Sequence, residues 1–356
     1  MVPKRRIARR RMIRVNKIKR KTNGMLLIIW KIVKFIGSKG SVLTILIFCG
    51  SSAYSNQLGL ITEFDLPGKA GSTHEITVGP KGNLWVSQQK PSRLVRLTTD
   101  GLATVFDLPK GSGPHGMAWD HFNRLWVTFE FTDEIAQLNE NGILVQKFPI
   151  PLKNAHPHGL TIGPDGNIWW TGKRGNVVGR LNPETRKFDI FSLGSESGTP
   201  IYISPGPHGN LWFTELTGNH IGRVTPSGIV TRFKIPFENS RPIVVFTGPN
   251  KRVWFTEERG NSYGQVSQDG KFTRFGTGIK NGKLAGAAFD LGQNLWVQFN
   301  YPDIIQRITP NGEVATYSLP TKNAVQHRII LGPDGNMWFT ELKSDKVGRI
   351  ITATGN

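Results

Sequence analysis

The chain has 356 residues, 38% of them apolar, with 41 glycines, 22 prolines and a formal net charge of +20. Abundant glycine and proline are typical of many short strands joined by turns, so the composition favours an all-β protein. Fourteen Lys or Arg residues precede residue 41 and no acidic residue precedes Glu63, which leaves only +6 for the remainder and gives no reason to expect a nucleic-acid partner.

The first 53 residues have the pattern of a leader. Two apolar runs, Met25 to Ile36 and Ser41 to Cys49, follow the basic stretch and precede small residues that end at Ala53. These are the parts of a secretory signal, so we expect export to the periplasm or the medium, with cleavage after Ala53 or retention as a membrane anchor. Neither run reaches the roughly 20 apolar residues of a clean membrane span.

Cysteine usage limits the chemistry of everything after the leader. Cys49 is the single cysteine of the sequence, and it lies within the leader. Disulfides, cysteine zinc sites and thiol catalysis are therefore excluded for the remainder.

A tryptophan recurs seven times after the leader. Consecutive members are separated by 41 to 43 residues, and they are Trp85, Trp126, Trp169, Trp212, Trp254, Trp296 and Trp338. A period near 42 repeated seven times predicts a seven-bladed β-propeller over residues 58–356, with four strands in each blade. We expect these tryptophans to pack between neighbouring blades, and the closed ring gives no reason to require an oligomer.

One repeat illustrates the predicted blade. We expect strands at His158–Ile162, Asn167–Thr171, Val177–Leu181 and Lys187–Phe191, with a Gly-Pro-Asp-Gly-Asn turn between the first two. The last repeat ends without a fourth strand. Residues Leu60 to Leu66 read as that strand, which would close the ring between the two ends of the propeller.

Two positions of each repeat are predicted to meet at the mouth of the central channel, where propellers bind ligands. The first position reads His74, His115, His158, Ile201, Ile243, Ala285 and His327. The second position reads Gln88, Phe129, Gly172, Glu215, Glu257, Phe299 and Glu341. Because blade 7 adjoins blade 1, the four histidines form one arc, with carboxylates expected beside and opposite it.

Imidazoles facing carboxylates suit proton transfer or divalent-metal binding. Each residue taken singly is explained as well by a hydrogen bond to a loop backbone, whereas the cluster as a whole favours a ligand site. Lys173 and Arg174 could line the same mouth or form a solvated rim.

The wording of the repeats resembles one known family. The segments Gly206 to Glu215 (GPHGNLWFTE) and Gly332 to Glu341 (GPDGNMWFTE), each followed by an Ile-Gly-Arg or Val-Gly-Arg strand, are similar to those of virginiamycin B lyases and other streptogramin lyases. The resemblance extends over all seven blades, from Leu58 to Asn356.

What the resemblance implies is a magnesium-dependent lyase that opens an ester of a cyclic depsipeptide antibiotic by elimination, which would confer antibiotic resistance. In the family pattern a histidine removes the proton α to a carbonyl, and carboxylates hold the metal. His327 matches the base and Glu341 matches one metal ligand. Ala285 and Val325 stand where the family pattern has a substrate-binding histidine and a glutamate.

A site moved around the ring is the alternative arrangement. The pairs Pro114-His115 and Pro157-His158 repeat the substrate and base pattern on blades 2 and 3, with His156 in place of the metal-binding glutamate. We therefore carry His327, His158 and His115 as candidate catalytic residues and Glu341 and His156 as candidate metal ligands. His74, Glu215 and Glu257 are candidate substrate-binding residues.

Three functions are consistent with this pattern. The first is a lyase acting on an ester of a cyclic depsipeptide or related metabolite. The second is a non-catalytic envelope propeller that binds a peptide, a glycan or another small-molecule or cyclic peptide ligand at the histidine arc. The third is a metal-dependent lactone hydrolase, which would add water to its product.

Overall fold

The structure is a computed structural model that describes residues 33–36, 42–45, 57–68, 72–194, 196 and 198–352, the first two segments by their backbone. Those two segments, Val33–Ile36 and Val42–Ile45, form an antiparallel hairpin with Val33 opposite Ile45. The rest of the predicted leader lies outside the described residues. Among the described residues, no helix is long and apolar enough to span a membrane.

Residues 57–352 form seven four-stranded antiparallel sheets arranged as blades. The innermost strands of blades 1 to 7 are Thr73–Val78, Pro114–Trp119, Pro157–Ile162, Pro200–Pro205, Pro242–Thr247, Lys283–Phe289 and Gln326–Leu331. The second strands are Leu84–Gln88, Leu125–Phe129, Ile168–Gly172, Leu211–Glu215, Val253–Glu257, Leu295–Tyr301 and Met337–Glu341.

The third strands are Arg93–Leu97, Glu134–Leu138, Val177–Leu181, His220–Val224, Ser262–Val266, Ile304–Ile308 and Lys346–Ile350. The outermost strands are Ala103–Asp107, Leu144–Pro149, Phe188–Ser192, Val230–Lys234, Phe272–Gly276, Val314–Ser318 and Ile61–Asp65. Two single-turn 3-10 helices, Pro80–Gly82 and Pro207–Gly209, replace the simple turn in blades 1 and 4. The predicted seven-bladed all-β fold is confirmed.

The ring is closed by the strand that precedes the first repeat. Ile61–Asp65 pairs antiparallel with Lys346–Ile350 and completes blade 7, as the sequence predicts. This pairing covers the edge that the third strand of blade 7 would otherwise expose.

The repeated tryptophans fill the seams between blades. Trp126 packs with Leu160 and Ile168 of the next blade, and Trp338 packs across the closure seam with Ile76 and Leu84. Six of the seven are fully buried and Trp254 is partly buried, so the predicted structural role is confirmed.

The predicted turn also anchors its tryptophan. In blade 3 the Asp165 carboxylate accepts a hydrogen bond from Trp169 Nε1 at 3.0 Å, and Gly166 adopts the positive φ of 75° that the turn requires. The same bond, at 2.9 Å, joins Asp334 and Trp338 in blade 7.

Candidate functional site

Every innermost strand begins with a β-bulge, and the bulge presents the predicted ring residues. In blade 3, Pro157 lies opposite Gly172 and Leu160 opposite Trp170, so His158 and Gly159 together face the single residue Thr171. An extra residue in one strand bends it and re-aims its side chains, which is how the first ring position reaches the channel mouth.

A hydroxyl on the second strand fixes each bulge to the next blade. In blade 2, Thr128 Oγ1 accepts the Gly116 N–H at 2.8 Å and donates to the His158 carbonyl of blade 3 at 2.9 Å. The same donation to a carbonyl of the next blade recurs around the ring, from the hydroxyls of Ser87, Thr171, Thr214, Thr256 and Thr340. Gln298 occupies this position in blade 6. These hydroxyls hold the backbones of His74, His115 and His158 without contacting their imidazoles.

The structure brings the four histidines of the arc together. The ring centroids of His115 and His158 are 3.7 Å apart, and those of His74 and His115 are 5.0 Å apart. His327 lies 5.1 Å from His74 and 5.5 Å from His115 by the same measure. The order of the blades therefore predicts their proximity correctly, although their chemical roles stay predictions.

Backbone carbonyls select the tautomer of two of these rings. His74 Nδ1 lies 2.7 Å from the Ser72 carbonyl, and His158 Nδ1 lies 3.0 Å from the Ile201 carbonyl. A carbonyl only accepts, so each Nδ1 carries the proton and each Nε2 keeps a lone pair. Both nitrogens of His115, which is 1% exposed, lack a hydrogen-bond partner among the described residues.

Burial keeps the cluster neutral at physiological pH. It lowers the pKa of His158 and of His327 to about 3, and it holds the pKa of His115 well below its usual range. Burial lowers the pKa of His74 as well. Four neutral imidazoles can accept protons or bind a metal cation without first losing a proton.

A buried carboxylate that sequence reasoning missed faces this cluster. Glu130 Oε2 accepts a hydrogen bond from Gln89 at 2.7 Å, and Oε1 lies 3.3 Å from Lys173 Nζ. Burial would raise the pKa of Glu130, but the neighbouring His158 and Lys173 and the Gln89 hydrogen bond outweigh it and lower the pKa. Ligand atoms of His115, Glu130 and His158, called here the His-Glu-His triad, all lie within 4.8 Å of one another.

A second polar group lies at the other side of the cluster. The Tyr202 hydroxyl donates to Glu75 Oε1, and Arg328 Nε lies 3.7 Å from Glu75 Oε2 with its guanidinium over the Tyr202 ring. His327 Nδ1 lies 3.9 Å from Glu75 Oε1. Burial raises the pKa of Glu75, against the effect of Arg328.

The predicted carboxylates of the second ring position point elsewhere, which corrects the expectation that they face the arc. Glu215 makes a two-pronged ion pair with Arg232 of the outermost strand, at 2.8 and 2.7 Å. Glu257 makes a single contact with Arg274, at 2.8 Å to Oε2, and the same oxygen accepts a hydrogen bond from the Ser262 hydroxyl at 2.9 Å. Successive side chains of a strand alternate between its two faces, and the residues that do reach the mouth come one position later.

The carboxylate of Glu341 also points away from the histidine arc. Its carboxylate accepts a hydrogen bond from Ser344 at 2.6 Å and neighbours Glu63 of the closing strand, whose carboxylate binds Lys346 at 3.1 Å. Burial and the Glu63 charge raise the pKa of Glu341 to about 7. The pairing of Glu341 with His327 as one metal and base site is therefore not supported by the geometry.

His156 lies in the loop before the blade 3 bulge with a positive φ of 49°. Its N–H donates to Asp133 at 2.7 Å and its carbonyl accepts from the Lys173 N–H at 3.0 Å. Its backbone thus anchors the loop that carries Lys173. Within the described residues, the group of side chains that could hold a metal includes neither His156 nor Glu341.

Comparison with known proteins agrees with this architecture. The model of the virginiamycin B lyase family matches residues 36–301 and 238–356. No curated protein sequence matches the chain. Many solved structures match, among them structures of a streptogramin B lyase and of a virginiamycin B lyase.

A streptogramin B lyase structure superposes with a TM-score of 0.78 at 26% identity, and the match covers 84% of this chain and 99% of that one. Virginiamycin B lyase from Staphylococcus aureus superposes with a TM-score of 0.76 at 30% identity, covering 82% of this chain and 98% of that one. A gluconolactonase-like structure, with a TM-score of 0.53 at 15% identity, shares the fold alone.

Proposed function

The chain belongs to the virginiamycin B lyase family, and we propose that it is a metal-dependent carbon–oxygen lyase that opens an ester of a cyclic depsipeptide or a related metabolite. The observation that carries this proposal is the cluster of four neutral histidines, two of them buried and two partly exposed, with Glu130 at the mouth of the propeller. Such a cluster combines proton acceptors and metal ligands in one place.

His327 is the proposed base. It is neutral at physiological pH and accepts the proton α to a substrate carbonyl, after which the C–O bond breaks, a C=C bond forms and the ester carboxylate departs. Glu75, 3.9 Å from Nδ1, stabilises the imidazolium that results. Because elimination adds no water, the linear product has the mass of the substrate.

The divalent metal of the proposed reaction is better placed at the His-Glu-His triad than at Glu341. The triad has unpartnered imidazole nitrogens and an ionised carboxylate within reach of one another, whereas Glu341 is bound to Ser344 beside Lys346. A cation held there supplies positive charge against the negative charge that develops on the substrate carbonyl oxygen.

The test is incubation of the purified chain with a streptogramin B, with added divalent cation or with chelator, and mass spectrometry of the product. We expect a linear product of unchanged mass that requires the cation. His327→Ala should abolish its formation, while His208→Ala, on the turn at the opposite end of blade 4, should not alter it.

Two other results would replace this proposal. A product heavier by one water would establish a hydrolase, and binding that persists in chelator with no product would establish a ligand-binding propeller. Unchanged turnover by the His327 variant would exclude that residue as the base.

We propose in addition that the basic, apolar leader exports the propeller or anchors it to the membrane. Fractionation of cells that express the full chain, with protease added to intact cells or spheroplasts, measures this directly. A chain found only in the cytosolic fraction would contradict export.

A further inference from the structure

The His-Glu-His triad offers two nitrogens and one carboxylate. Hard cations such as Mg²⁺ prefer oxygen ligands, whereas imidazole suits Zn²⁺, Fe²⁺, Co²⁺ and Ni²⁺. The residues that ring the mouth add further imidazoles, His74 and His327, within 5.5 Å of the His115 ring. The donor set therefore favours a transition metal.

His115 supplies independent support. Both of its nitrogens are buried without a hydrogen-bond partner, although an unpaired buried polar group costs about 1–3 kcal/mol. Its ring lies against that of His158, with the two ring centroids 3.7 Å apart. A cation bound at the edges of both rings would satisfy a nitrogen of each.

The surroundings of the triad have the form of an outer ligand shell. The Ile201 carbonyl holds His158 Nδ1 and so directs Nε2 away from it, and Gln89 holds one oxygen of Glu130. Partners of this kind fix the tautomer and orientation of metal ligands. They also leave Glu130 Oε1 as the oxygen available to a cation.

The side chain of Lys173 contacts Glu130 Oε1, the oxygen that a cation would bind. Its Nζ lies 3.3 Å from Oε1, and its side chain is 36% exposed while that of Glu130 is only 7% exposed. The lysine can therefore withdraw into solvent, whereas the carboxylate stays in place. An ammonium and a metal cation cannot both lie against the same carboxylate oxygen at low cost.

We infer that the His-Glu-His triad binds a transition-metal cation such as Zn²⁺ or Co²⁺ in preference to Mg²⁺, and that Lys173 neutralises Glu130 until the metal displaces it. This inference rests on the proposed function, because it specifies the metal of the same mouth. The displaced ammonium would point to the solvent side of the mouth, where it can attract an anionic group of a substrate.

The experiment is calorimetric titration of the full chain, stripped with chelator, with Zn²⁺, Mn²⁺, Co²⁺ or Mg²⁺, together with the visible absorption of bound Co²⁺. We expect Zn²⁺ to bind about 100-fold more tightly than Mg²⁺ or better. Glu130→Gln should weaken Zn²⁺ binding by at least about tenfold. His208→Ala serves as a control for histidines outside the mouth.

Lys173→Met tests whether the ammonium of Lys173 competes with the metal cation for Glu130. It removes the competing charge, so Zn²⁺ affinity should rise roughly five- to tenfold. The matched control Arg174→Met removes one positive charge from the adjacent, exposed residue and should leave the affinity within about twofold. Circular dichroism of each variant verifies that the propeller is folded.

Three outcomes would overturn the inference: equal affinities for Mg²⁺ and Zn²⁺, no loss of binding in Glu130→Gln, or no gain in Lys173→Met. None of these measurements uses turnover. Tight, Glu130-dependent Zn²⁺ binding with no product from a streptogramin B would therefore support the metal site and count only against the lyase proposal.

Discussion

Replacement of Glu341 by Gln should stabilise the propeller at alkaline pH and have little effect at acidic pH. Glu341 is fully buried, and its neighbour on the closing strand is another carboxylate, Glu63. At the equivalent place blades 4 and 5 have Arg232 and Arg274, each paired with the corresponding glutamate. Blade 7 thus has a buried acid without its arginine.

The magnitude follows from the pKa of Glu341, which is raised from 4.5 to about 7. Because the pKa of Glu341 is higher in the folded state than in the unfolded state, its protonated form stabilises the fold. This contribution is complete below pH 4.5 and is lost as the pH rises through 7. At about 1.4 kcal/mol per pKa unit, the loss by pH 8 is about 3 kcal/mol. Gln cannot ionise, so the variant escapes this loss.

Urea unfolding of both proteins at pH 4.5 and pH 8 measures the effect. The stability of Glu341→Gln relative to the native chain should increase by about 3 kcal/mol between the two pH values. A matched variant, Glu215→Gln, should instead lose stability at both, because it breaks the two-pronged pair with Arg232. A pH-independent difference for Glu341→Gln would refute a neutral buried acid at this position.

Two further predictions concern the hydroxyl ring and the histidine cluster. Thr128→Val should lower the free energy of unfolding by about 2–4 kcal/mol, because it leaves the Gly116 N–H and the His158 carbonyl unpaired, and it should also weaken Zn²⁺ binding. Thr256→Val, which releases the Ala285 carbonyl, should lower stability by a similar amount and leave the metal affinity unchanged. Urea unfolding measures the stability of both variants, and calorimetry measures their metal affinity. Equal metal affinities in the two valine variants would contradict the positioning role. Because burial depresses the pKa of His158 to about 3, the chain should lose stability as the pH falls from 6.5 toward 3. His158→Gln should make the stability depend less on pH in unfolding experiments from pH 7 to pH 4. An unchanged dependence of stability on pH would contradict a depressed pKa for His158.

The fold was predictable because its signals are repeated and local. Each tryptophan recurs at nearly constant spacing, and turn sequences such as that around Gly166 have few alternative conformations. Closure by Ile61–Asp65 follows from counting strands, since blade 7 has only three of its own. Repetition thus compensates for weak evidence in any one blade.

The site was only partly predictable, because side chains alternate between the two faces of a strand and an error of one residue therefore selects the wrong face. The histidine arc follows from the order of the blades, but on the second strand the expected position was one residue too early. Phe129 was expected at the mouth, and its neighbour Glu130 is the residue that reaches it. The residue after each second ring position is the signal that would have found Glu130, Gln89 and Lys173 together.

The β-bulges have a consequence for how such a protein can change during evolution. The hydrogen bonds that the second-strand hydroxyls make to the next blade use the main chain of residues such as His158 and Ala285, and not their side chains. An imidazole can therefore be gained or lost at any of these places with little disturbance to the seam beneath it. Imidazoles on this scaffold can thus move from blade to blade by single substitutions, and the metal site proposed on blades 2 and 3 is one result that such changes can give.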